Sequence, residues 1–231
     1  MFDKEFLKSR SSLDQKLNNF PKYVKRQAIS RFLCKYHIFQ KQLGVKGSIV
    51  ECGVNLGGGV FSWAHFSTIL EPYNYHRKII GFDTFQGFPS VNKKDGKKIK
   101  QKKKYFRRNY DVRNELLDLV KVFDKNRFIG HKKKIELVKG NAVKTIPKYI
   151  KENKEVLVSL LFLDFDIYEP TITALKYFLP RMSKGGIIAF DQVNNPDWPG
   201  ETLAYLKRKE LKKFKLENLG FEPNISFLQL K

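Results

Sequence analysis

Residues 156–166, VLVSLLFLDFD, read as a buried strand whose apolar run ends in two acids. Side chains alternate faces along a strand. Leu161, Leu163 and Phe165 therefore share one side, and Phe162, Asp164 and Asp166 the other. A carboxylate buried without a partner is costly, so Asp164 and Asp166 call for something positive or hydrogen-bonding beyond the strand end.

Working outward, strands and helices alternate. SIVECGV (48–54), KIIGFDT (78–84), IELVKG (135–140) and GGIIAFDQV (185–193) read as further strands. Between them GGVFSWAHFSTIL (58–70), YDVRNELLDLVKVFDKN (110–126), a segment around 142–152, PTITALKYFLPRM (170–182) and ETLAYLKRKELKKF (201–214) read as helices. This alternation implies a mostly parallel sheet with helices on both faces. The tail carries two short alternating runs around Glu222-Pro223-Asn224, a hairpin signal that adds one antiparallel strand. Ahead of the first strand, Ile29, Phe32, Leu33, Tyr36, Phe39 and Leu43 follow a three-four spacing, with Gly44 as C-cap, and Phe2, Phe6, Leu13 and Leu17 suggest an earlier helical segment. The expectation is an α/β fold in a single domain over 1–231. Residues 1–44 form a helical cover and 90–108 a lysine-rich mobile loop.

In such sheets ligands bind beyond the carboxyl ends of the strands. Here those ends read ECGVNLGGG (51–59), GFDTFQGFP (81–89), KGNA (139–142), LDFD (163–166) and FDQ (190–192). Each carries a polar residue against an apolar background, which favours a binding rim, although Asn141 also suits a helix cap. Gly53 and Gly57 are four apart and Asp83 lies thirty residues after Gly53, which departs from the dinucleotide fingerprint. Glu51 would repel a pyrophosphate, whereas Asp83 can accept both hydroxyls of a ribose. S-adenosylmethionine (SAM), with its amino group, cationic sulfur and ribose but no phosphate, suits this rim better than NAD.

The set VECGVNLGG, GFDTFQGFP, LDFDIYEPT, MSKGGIIAFD and PGE (199–201) resembles the macrocin O-methyltransferase family of class I SAM-dependent enzymes, from about residue 48 onward. The resemblance implies a Rossmann-like seven-stranded sheet and a magnesium-assisted methyl transfer to a sugar hydroxyl. Carried over by position, Asp164 and Asp191 would be metal ligands and Asp166 the general base or a further ligand, making Asp164 and Asp166 the catalytic pair. Gln192 replaces the second acid of the usual metal-binding pair; its amide oxygen can bind a hard cation without contributing charge. Tyr168 and Glu169 would support. The expected cofactor contacts are Glu51, Gly53, Asn55, Gly57, Asp83, Thr84 and Asn141.

Bulk composition narrows the alternatives. A net charge of +22 invites a nucleic-acid reading, and residues 92–108 alone hold ten basic residues and one acid. No aromatic interleaving or recognition helix accompanies the charge, so a nucleic-acid-directed methyltransferase is the rival and a phosphate-attracting lid the functional reading of the loop. A SAM-binding module without turnover is a second rival, kept open by Gln192. The partner is then a small-molecule hydroxyl acceptor, such as a nucleotide sugar or glycoside; a homodimer is compatible. No apolar run approaches the roughly 20 residues of a membrane span, and acids near the N-terminus argue for the cytosol over secretion. Cys52 reads as a buried thiol. His37, His65, His76 and His131 show no partner spacing. Trp198 either floors the acceptor pocket or is a loop aromatic under the sheet.

Overall fold

The computed structural model describes residues 2–96 and 106–231. Residues 97–105, the middle of the lysine-rich stretch expected as a mobile loop, lie outside the described residues.

Seven strands form one sheet in the order β3-β2-β1-β4-β5-β7-β6. They are β1 (Ser48–Cys52), β2 (Ile79–Asp83), β3 (Ile135–Lys139), β4 (Val158–Leu163), β5 (Met182–Phe190), β6 (Glu217–Leu219) and β7 (Glu222–Gln229). β1 to β5 run parallel, and β7 lies antiparallel between β5 and β6. β1 and β4 are buried at every position, as central strands covered on both faces must be, whereas edge strand β3 alternates buried and partly exposed residues.

Helices α3 (Arg26–Lys41), α4 (Gly58–Leu70) and α5 (Val112–Lys125) cover one face. Helices α6 (Ala142–Glu152), α7 (Tyr168–Phe178) and α8 (Pro199–Lys207) cover the other. The first core gathers Ile38, Phe39, Trp63, Leu160 and Phe162; the second gathers Val50, Phe82, Leu161, Leu163 and Phe178. Each fully buried large side chain contributes about 1.5–3 kcal/mol. Asp111 caps α5 through the Asn114 N–H at 3.1 Å, and Asn141 caps α6 through the Val143 N–H at 3.0 Å. Two short helices, α1 (Phe2–Lys8) and α2 (Leu13–Asn18), precede α3 and leave Leu7, Leu13 and Leu17 exposed.

Several boundaries differ from the sequence expectation. The central strand stops at Leu163, so Asp166 lies on a turn with φ of 61° and not on the strand. The helix expected over 201–214 breaks at Arg208 and continues as a 3-10 turn over Lys209–Lys213. The C-terminal hairpin turns at Gly220-Phe221, ahead of Pro223, which sits at the start of β7 where a missing N–H is tolerated. α3 ends at Lys41, before Gly44. Its inner face is also rotated from the expected one. Cys34, Lys35, Ile38 and Phe39 are buried, while Phe32 and Leu33 are 39% and 48% exposed. Cations at Arg31 and Lys35 interrupt that inner stripe and hide it from a hydrophobic-spacing reading.

Candidate functional site

β1, β2 and β3 step in one direction and β4 and β5 in the other, so the order reverses between β1 and β4. This switch point opens a crevice at the strand ends. There the Asp164 N–H donates to the Cys52 carbonyl at 2.7 Å. Gly53, with φ of 103°, lies so close that an added Cβ would overlap the Asp164 carbonyl oxygen. Only glycine lets the two strand ends meet this way.

A cavity of about 300 Å³ opens from the crevice. It brings together Gly53, Asn55, Asp83, Thr84, Asn141, Asp164, Asp166, Asp191 and Gln192, residues expected from sequence at the ends of five strands. Gly57 and Glu51 are not among its walls. Gly57 is the left-handed N-cap of α4. Glu51 is 2% exposed and tucked against Gly59, where a Cβ would overlap its carboxylate. Burial raises the Glu51 pKa to about 7, although Lys35 and the Trp63 indole favour its charge. Its Oε2 has no hydrogen-bond partner of good geometry among the described residues.

The polar walls are already engaged. Asp83 Oδ2 accepts from the N–H groups of Val54 and Asn55, both at 2.8 Å, and Oδ1 from the Phe85 N–H at 2.7 Å. The Thr84 hydroxyl donates to the Gly87 carbonyl at 2.6 Å. Asn141 lines the cavity and accepts its capping bond with its side-chain oxygen, so its amide NH₂ is not used in the cap.

At the opposite wall stand the acids. Arg31, from α3, reaches Asp164 Oδ2 with Nη2 at 3.1 Å and pairs with Asp191 Oδ1 through the same nitrogen. Burial opposes the guanidinium charge, but Asp191 and Asp164 outweigh it and raise the Arg31 pKa. Burial first, and Asp191 second, push the Asp164 carboxyl well above the usual range, with Arg31 pulling the other way. Beneath them the fully buried Glu201, from the first turn of α8, accepts the Asp166 N–H at 3.2 Å and the Gln192 N–H at 2.9 Å. It ties the β4 and β5 loops together. Burial, then the Asp191 and Asp166 charges, raise its pKa strongly.

Arg31 and Glu201 were not singled out by sequence reasoning. Glu201 belongs to the PGE segment that carries part of the resemblance, so its signal was present. Arg31 had no signal beyond its helical spacing to Cys34, Lys35 and Ile38. Phe88, Phe106 and Arg108 also line the cavity. Trp198 is not among its walls, but it packs against Phe88 and Phe106 at 6.1 and 6.5 Å between ring centroids. At the start of the basic stretch Asp95 is buried and accepts the Tyr168 N–H at 2.7 Å, which pins the chain over α7. His65 stacks edge-on against Phe123, outside the cavity walls.

A divalent ion does not fit this arrangement. The Arg31 guanidinium stands between the two carboxylates that would share the metal. Gln192 directs Nε2 to Asp191 Oδ2 at 3.2 Å, and its Oε1 accepts from Asn195 Nδ2 at 2.6 Å. The amide therefore offers Asp191 a donor and keeps its oxygen elsewhere.

The sheet order, the antiparallel β7 and a cavity at the switch point define a class I SAM-dependent methyltransferase. The family profile described as Macrocin-O-methyltransferase (TylF) matches residues 34–214. The chain belongs to the macrocin O-methyltransferase family and is a SAM-dependent O-methyltransferase. The crystal structure of CalS11, a calicheamicin methyltransferase, is similar at 32% identity and a TM-score of 0.92, over 99% of this chain and 89% of that one. The apo structure of CalS11, described as a TDP-rhamnose 3'-O-methyltransferase of calicheamicin biosynthesis, aligns at 30% identity and a TM-score of 0.85, over 99% and 91%. The O-methyltransferase NovP shares the fold at 20% identity and a TM-score of 0.66, over 88% and 80%. No curated protein sequence matches the chain. Among the described residues no helix is long and apolar enough to cross a membrane.

Proposed function

We propose that this chain, acting as one domain, methylates a hydroxyl of a sugar, in the class of nucleotide sugars and glycosides, with SAM held in the cavity at the switch point. The observation that carries this reading is the meeting of Gly53, Asn55, Asp83 and Asn141 with Asp164, Asp166 and Asp191 around one space. The likeness to a TDP-rhamnose 3'-O-methyltransferase supports the acceptor class. So does a second cavity of about 280 Å³ that shares Asp191 and Gln192 with the first and is lined by Asn194, Asn195, Asn218 and Asn224, groups suited to sugar hydroxyls.

In this reading Gly53, which lets the β1 and β4 ends meet, lines the cofactor's cavity, and Asn141 and Asp83 address the cofactor's polar parts. Asp166 takes the proton from the acceptor hydroxyl while Asp164 and Asp191 orient it. The oxygen attacks the methyl carbon, the carbon–sulfur bond breaks, and neutral S-adenosylhomocysteine leaves. The sulfonium is already activated, so the protein's contribution is chiefly alignment. The magnesium role implied by the resemblance is not carried into this mechanism, because the guanidinium already sits where the ion would.

Calorimetry with SAM, followed by mass spectrometry across a panel of nucleotide sugars and free glycosides, tests the proposal. A gain of one CH₂ unit on a sugar hydroxyl is expected. SAM binding with methylation confined to RNA, and a steep salt dependence of that binding, would transfer the assignment to nucleic acid. SAM binding with no methylation of any acceptor in the panel would favour a binding module.

A further inference from the structure

We infer that Arg31 supplies the fixed positive charge of this site in place of a divalent ion, so that methyl transfer proceeds without added metal. The inference rests on the reading that the switch-point cavity is the transfer site. A single Arg31 nitrogen meets Asp164 from the end of β4 and Asp191 from the end of β5, which is the place of a bridging cation. The Asp191 side chain is 5% exposed. Removing the guanidinium would leave two carboxylates in mutual repulsion with little water to separate them.

Arg31 is also held from behind. It shares the inner stripe of α3 with Cys34, Ile38 and Phe39, all fully buried in the core shared with α4 and β7. A metal would have to expel a cation that the helix packing aims at this spot. The neutral amide of Gln192 fits the same account. A further carboxylate in place of Gln192 would add to the repulsion among Asp164, Asp166 and Asp191, whereas the amide adds a donor toward Asp191 at 3.2 Å. Unlike a metal, the planar guanidinium fixes its partners through directed N–H groups. Arg31 is therefore a positioning residue that acts through Asp164 and Asp191.

The test uses the full chain prepared with a chelator. Turnover of SAM with whichever member of the nucleotide-sugar and glycoside panel becomes methylated is measured in EDTA and in magnesium, and Mn²⁺ binding is followed by the electron paramagnetic resonance signal of the free ion. Expected are equal rates in both conditions and no Mn²⁺ uptake. Arg31→Ala should lose kcat by about 100-fold, the scale of a misplaced reacting group, with SAM affinity unchanged, and Arg31→Lys should recover part of it. Turnover abolished by EDTA and restored by magnesium would overturn the inference, as would stoichiometric Mn²⁺ uptake by the unaltered protein. An Arg31→Ala variant with full kcat would do the same. If that variant does not fold, the EDTA and Mn²⁺ measurements on the unaltered chain decide alone. Failure of the unaltered chain to bind SAM at all would instead remove the function reading beneath it.

Discussion

The Asp83 carboxylate at the end of β2 accepts the Asn55 N–H at 2.8 Å and so clamps the tip of the glycine-rich turn after β1. With the Val54 and Phe85 N–H groups it holds three backbone donors. An acid expected to greet a ribose is first a brace for the loop that would hold the cofactor. Asp83→Ala should lower stability by about 2–3 kcal/mol, from lost charge-assisted hydrogen bonds, and weaken SAM as well. Thermal melting and calorimetry read the two effects. Loss of affinity with an unchanged melting temperature would contradict the bracing role.

Gly53→Ala should be among the most damaging single changes in the chain. Its φ of 103° is disfavoured for alanine, and the methyl would overlap the Asp164 carbonyl. A loss of about 3 kcal/mol or more is expected. Gly58→Ala, with nothing within 4 Å of its added Cβ, is the control and should be neutral or mildly stabilising. Urea unfolding of both variants checks the contrast; similar midpoints would remove the argument for close approach.

Stability should fall as pH rises through the titration of Glu51. Burial raises its pKa from 4.5 to about 7 in the folded chain. Between these values the folded protein keeps a proton that the unfolded chain has released, so stability declines across the window and levels off above it. Glu51→Gln should remove this slope and stand about 1–3 kcal/mol above the parent at pH 8, less whatever attraction to Lys35 is lost. Denaturation at pH 5 and pH 8 measures it. Parallel pH dependence in the two proteins would refute the assignment.

Glu201→Ala should uncouple the two acid-bearing loops. It leaves the N–H groups of Asp166 and Gln192 without their acceptor. A stability loss of about 2–4 kcal/mol is expected from the stranded donors, with kcat reduced more than SAM affinity, because the loops carry the acids and not the glycine-rich turn. Steady-state kinetics beside calorimetry separates these. A variant that loses SAM affinity but keeps kcat would place Glu201 on the cofactor side.

Much of this molecule was legible in its residues. Apolar runs at 48–52, 79–83 and 158–163 are short and bounded by turn residues or acids, which suits buried strands, and the helices between them follow from spacing. Asn55, Asp83, Asn141, Asp164, Asp166 and Asp191 stood out because polar residues at the ends of apolar strands need a reason, and Gly53 because it opens a glycine-rich turn. Element ends were less legible. The hairpin at Gly220-Phe221 was misplaced because Pro223 is a strong turn signal that here begins a strand. Residues 97–105 of the lysine-rich stretch lie outside the described residues.

The order and chemistry of the strand ends were thus determined by the chain itself, since alternation, burial and glycine placement are local properties. What tertiary structure alone decided is which charges face each other. Arg31 lies 133 residues from Asp164, and no spacing rule connects them. Packing of α3 against α4 and β7 brings its guanidinium between two carboxylates. That contact, made by the fold, places a cation between the two acids that the sequence reading had assigned to a metal.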